Sequence, residues 1–81
     1  MRIFYICGNP FFECIRYFDY EKLTIPLDNI RYFCYEFLED NEFSPYALYV
    51  SLLTGGEFII GSLADAEACF LDAGIDFCEF Y

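Results

Sequence analysis

Residues 46–74 read YALYVSLLTGGEFIIGSLADAEACFLDAG, and this one stretch holds two strands, a hairpin turn and a helix in succession. YALYVSLL (46–53) is rich in aromatic and aliphatic side chains that suit a pleated, half-buried strand. Thr54-Gly55-Gly56-Glu57 offers the glycines a tight hairpin needs, and Phe58–Ile60 reads as the returning strand. The pattern then changes period. Ser62-Leu63-Ala64-Asp65 sets a hydroxyl three residues ahead of an acid, the capping pattern of a helix N-terminus. A helix is expected from about Leu63 to Ala73, stopped at Gly74, where glycine tolerates the left-handed conformation. Leu63, Ala66, Cys69, Phe70 and Ala73 gather on one side at helical spacing and should dock on the sheet. Asp65 and Asp72, seven positions apart, share an outward stripe about 10 Å long.

Working outward, Ile3–Cys7 is a short β-rich run closed by the turn signal Gly8-Asn9-Pro10. Phe11–Tyr20 (FFECIRYFDY) suits a strand whose alternation puts Phe12, Cys14, Arg16 and Phe18 on one face. Lys22–Ile25 is a brief extended piece stopped at Pro26. Leu27-Asp28-Asn29 turns the chain into a second aromatic strand, Ile30–Leu38, followed by a polar loop from Glu39 to Pro45. Ile75–Tyr81 reads as a last short strand or an aromatic tail. Together these pieces give an α+β fold: a small antiparallel sheet of about four to six strands, with one helix over about residues 63–73 packed on one face. The 81 residues make one compact domain, 1–81, with a small core. A domain this size can hardly bury 11 Phe and 8 Tyr, so some rings should sit at an interface.

Charge is distributed unevenly. The four basic residues, Arg2, Arg16, Lys22 and Arg31, are balanced within residues 1–31 by Glu13, Asp19, Glu21 and Asp28. From Tyr32 to Tyr81 there is no Lys, Arg or His, but there are ten carboxylates, which carry the whole net charge of −10. Carboxylates without neighbouring cations repel one another in the compact state. The positive charge they lack is therefore expected from a partner, with solubility as the plainer use of acidity.

Several function classes are excluded. With no His in the chain, the commonest general base and the usual activator of a cysteine are both missing. The glycines at 55, 56 and 61 do not form a phosphate loop, since no Gly-Lys-Ser/Thr follows. The chain is read as no enzyme, and no cofactor or metal is expected: Glu39-Asp40-Asn41-Glu42 lacks the alternating acids and central glycine of an EF-hand loop. The five cysteines are widely spaced with no Cys-x-x-Cys, and read as small buried hydrophobes. The net charge rules out direct nucleic-acid binding. No secretory leader or membrane span is read, and the expected location is the cytoplasm.

What remains is recognition of a basic surface. Residues i and i+2 on a strand lie roughly 6.5–7 Å apart, close to the spacing of phosphates along a nucleic-acid strand. Asp19/Glu21 and Asp40/Glu42 have that spacing. In size, charge and compact strand–helix layout, with GSLADAEACFLDAG as the helix, the chain resembles small acidic inhibitors of phages and mobile elements, anti-CRISPR proteins and DNA mimics. Acidic immunity proteins and antitoxins that plug basic nucleases are a second likeness. The resemblance implies a protein inhibitor of a basic nucleic-acid-binding protein, a CRISPR effector or a nuclease, acting in the host cytoplasm. The expected anionic surface is Glu36, Glu39, Asp40, Glu42, Asp65, Glu67, Asp72, Asp76 and Glu79, with Tyr46, Tyr49 and Tyr81 as aromatic anchors. The rival reading is a non-inhibitory assembly protein that dimerises through its aromatic sheet face.

Overall fold

In the computed structural model, which describes residues 1–39 and 45–81, the chain forms six strands, one α-helix and two short 3-10 helices. β1 (Arg2–Ile6), β2 (Asn9–Ile15) and β3 (Lys22–Pro26) make one antiparallel sheet in that order. β4 (Ile30–Phe37), β5 (Tyr46–Leu52) and β6 (Gly56–Ile60) make a second. The strands thus divide into two three-stranded sheets instead of one. They touch at an isolated bridge between Arg16 and Ile60, where the Tyr17 amide donates to the Ile59 carbonyl at 2.7 Å. The helix α1 (Leu63–Asp72) packs against β1 of the first sheet and β5 of the second.

Local chemistry explains most of these elements. The β1–β2 turn uses Cys7 at φ 51° and Gly8 at φ 83°, two successive left-handed residues that match the strand twist. The turn therefore sits one residue earlier than the Gly8-Asn9-Pro10 signal suggests, and Pro10 pairs with Tyr5 inside the strand ladder. β5 and β6 form the expected hairpin, closed between Leu52 and Gly56 with Gly55 at φ 97°. Ser62 caps α1 by accepting from the Asp65 amide at 3.2 Å, and Gly74 at φ 74° ends it.

Two expectations about strand length differ. β2 ends at Ile15, because Arg16 turns back on itself: its amide donates to the Glu21 carbonyl and its carbonyl accepts from the Tyr20 amide, both at 2.9 Å. Residues 17–20 become a loop that carries Phe18 outward, 71 % exposed. The C-terminal stretch is a tail and not a strand. Asp76 caps a 3-10 helix, Phe77–Phe80, by accepting from the Cys78 amide at 3.0 Å.

One hydrophobic core draws on both sheets, α1 and this C-terminal turn. In β2 the predicted alternation holds, since Phe12 and Cys14 are fully buried. Phe33, Leu48, Val50, Phe58 and Ile60 supply the second sheet's inner face. Ile30 and Phe33 are both buried although an odd number of positions separates them. A register shift between Ile30 and Tyr32 makes Arg31 the extra residue and restores the alternation. Phe70 of α1 is the hub, meeting Phe12, Phe33, Phe77 and Phe80 with ring centroids 5.1–5.6 Å apart. Of the five cysteines only Cys14 is buried. Cys34 and Cys69 are partly covered, and Cys7 and Cys78 are exposed, so the reading of all five as core hydrophobes fails. Cys7 is held outward by its turn and Cys78 by the short helix at the C-terminus.

Candidate functional site

The cation-poor half of the chain builds the second sheet, the helix and the C-terminal turn, whereas residues 2–26 build the first sheet. All four ion pairs among the described residues lie within the first thirty-one positions: Arg2–Glu13, Lys22–Glu13, Arg16–Asp19 and Arg16–Glu21. Burial alone would raise the Glu13 carboxyl, but hydrogen bonds from Arg2 and Lys22 hold it below the usual carboxylate range. Hydrogen bonding to Arg16 pulls Asp19 down to about 2. Asp19 and Glu21 are therefore committed to Arg16 and do not form a free phosphate-like pair.

The second sheet presents two unlike faces. Along β4 and β5, Phe33 opposes Val50, Tyr35 opposes Leu48 and Phe37 opposes Tyr46, so these six residues share the inner face. The core covers only the first part of it. Tyr35, Phe37 and Tyr46 are 61 %, 60 % and 51 % exposed, and Tyr81 joins them at 48 %. Tyr35 and Tyr81 meet edge to face with centroids 5.3 Å apart, and Phe37 and Tyr46 at 5.9 Å. Tyr81 also meets Phe77 at 5.4 Å, and Phe77 stacks on Phe33 at 4.9 Å, so a chain of rings leads from the core to this surface.

Beside these rings an open groove of about 500 Å³ runs between α1 and the C-terminal turn. Ala64, Ala68, Leu71 and Ile75 give it an apolar lining, Tyr35 and Tyr81 contribute rings, and Glu67 and Asp76 contribute carboxylates. Tyr35 also borders the hollow between Tyr46 and Leu63, so the surface continues along the inner face of the sheet. No Lys or Arg lines either depression among the described residues. Burial, a hydrogen bond with Tyr35 and the charge of Glu67 all push the Tyr81 hydroxyl upward, keeping it protonated.

The expected site residues therefore scatter. Glu67, Asp76, Tyr46 and Tyr81 fall on this one surface. Asp65 and Asp72 do share a flank of α1, as their spacing predicts, but it is the other flank. Asp65 borders a cleft with Arg16, and Asp72 one with Arg2, so the two acids sit near cations of the first sheet. Glu36 and Tyr49 point from the outer face of the second sheet, where Tyr49 donates to Glu57 and is pushed up to about 12 by that bond. Glu39 follows β4 and Glu79 lies in the C-terminal turn, both exposed. Asp40 and Glu42 lie outside the described residues. Sequence reasoning missed Tyr35, Phe37 and Leu71. The alternation from Phe33 puts Tyr35 and Phe37 on the core face, but nothing local says where the helix stops covering that face.

No group of three or more Cys, Asp or Glu close enough to hold a metal occurs among the described residues. No described helix is long and apolar enough to cross a membrane. Comparison with protein-family models, curated proteins and solved structures finds no match for the chain.

Proposed function

We propose that this chain is an acidic protein inhibitor that docks on the positively charged, nucleic-acid-binding surface of a larger protein. One observation carries the reading: exposed aromatic rings and carboxylates share the surface formed by Tyr35, Tyr46, Tyr81, Glu67 and Asp76, with no cation lining it among the described residues. Such a surface combines the two ingredients of a protein interface: aromatic anchors that hold, and a field of one sign that steers. A homodimer through the same rings would bring the Glu67 and Asp76 carboxylates of both copies to one interface, with no cation lining it among the described residues. Like charges so placed disfavour self-association, so an oppositely charged partner fits better. Within this class the proposed target is a CRISPR effector, on the resemblance in size, charge and layout. A basic nuclease opposed by an immunity protein obeys the same physics.

Binding to a panel of purified basic nucleic-acid-binding proteins, CRISPR effectors and nucleases among them, tests the reading. One member is expected to bind, to be released by its own nucleic acid, and to lose affinity at least about tenfold between roughly 0.05 M and 0.3 M salt. Binding that ignores both competitor and salt, or no binding across the panel, would sink it.

A further inference from the structure

The groove between α1 and the C-terminal turn is more specific than a patch of negative charge. Its lining combines three chemistries: apolar side chains of Ala68, Leu71 and Ile75, the rings of Tyr35 and Tyr81, and the carboxylates of Glu67 and Asp76. A ligand matching that combination has an apolar stem, a flat cationic head that can lie against aromatic faces, and donors at its edge. Lysine has the stem and the charge, but its compact, strongly hydrated ammonium gains little from stacking. An apolar side chain would fill the groove and leave both carboxylates without a partner. Arginine meets all three requirements: its methylenes lie along apolar surface, its planar guanidinium stacks on tyrosine, and its five N–H donors reach carboxylates in pairs.

We infer that this groove receives one arginine side chain of the partner, its guanidinium held between the Tyr35/Tyr81 rings and the Glu67 and Asp76 carboxylates. The assignment rests on the proposed docking to a basic protein and names the contact that would anchor it. The rings already brace one another, because Tyr35 meets Tyr81 edge to face and Tyr81 packs on Phe77. Little ordering is therefore required when the ligand arrives.

The test is a titration of the full chain with acetyl-arginine amide, followed by NMR, beside the lysine and citrulline analogues. Citrulline keeps the shape of arginine and removes its charge. Saturable shifts at Tyr35, Tyr81, Glu67 and Leu71 are expected with the arginine probe at millimolar concentration, with lysine several-fold weaker and citrulline weaker by about tenfold or more. Glu67→Gln with Asp76→Asn should weaken the arginine probe by about tenfold. These variants are isosteric, and asparagine at 76 still caps the C-terminal turn, so loss of fold does not confuse the result. Equal affinity for arginine and citrulline, shifts outside the groove, or full binding by the double variant would overturn the assignment. The two proposals fail separately. A basic protein that binds the double variant as tightly as the parent removes the arginine contact and leaves the docking model standing. An arginine probe seated in the groove, with no basic protein bound, does the reverse.

Discussion

Arg16 holds Asp19 and Glu21 across the loop that follows β2, and the Glu21 amide also donates to Asp19 at 3.1 Å. The Asp19 carboxyl is thereby drawn down to about 2 from an ordinary 3.8. A lowered folded-state value means that this contribution to stability is present above the ordinary value and disappears as the pH falls through about 2. Arg16→Gln should raise Asp19 most of the way toward the ordinary carboxylate range, with the Glu21 amide holding back the rest, read by carboxyl chemical shift against pH; an unchanged low value would show that Arg16 is not the cause. At this scale the sequence was a partial guide. The i, i+2 spacing of Asp19 and Glu21 was legible, but it served an internal cation and not a partner. Tyr35 and Phe37 carried no local mark, because exposure of a ring depends on what packs over it.

At the scale of elements, short-range chemistry governed the outcome. Gly55, Ser62 and Gly74 act within a few residues of themselves, and the hairpin and helix they bound lie where their positions imply. Ser62→Ala should lower stability by about 1 kcal/mol, measured as a shift in the urea midpoint, because the Asp65 amide loses its acceptor. Ser62→Thr should recover most of that loss; equal behaviour of the two variants would remove the cap from the account. The strand–loop boundary at Arg16 was not legible, since FFECIRYFDY is β-rich to its end. A clamp formed by one arginine and the bridge to Ile60 outweigh propensity there. The register shift at Arg31 is similar: only the burial of both Ile30 and Phe33 requires it.

For the whole molecule, the division of charge along the chain nearly coincides with the division into sheets. The first sheet and its loop balance their own charges, whereas the second sheet has Arg31 as its one cation and α1 has none, so Asp65 and Asp72 of α1 border Arg16 and Arg2 instead. Repulsion within the acidic half should make the free protein less stable at low ionic strength. Raising salt from about 0.01 M to about 0.15 M should therefore raise its melting temperature by a few degrees, since that change shortens the screening length from about 30 Å to about 8 Å. A melting temperature that falls would mean that the first sheet's ion pairs dominate instead. By itself the sequence determined the hairpin, the capped helix, the alternation of β2 and the confinement of cations to the first thirty-one residues, because each depends on neighbours along the chain. Only the tertiary structure decided that the strands form two sheets, that Asp65 and Asp72 face away from Glu67 and Asp76, and that Tyr35 and Tyr81 meet at the surface. Those outcomes follow from how far one ten-residue helix and one C-terminal turn cover the sheets, and coverage is a property of packing between distant segments.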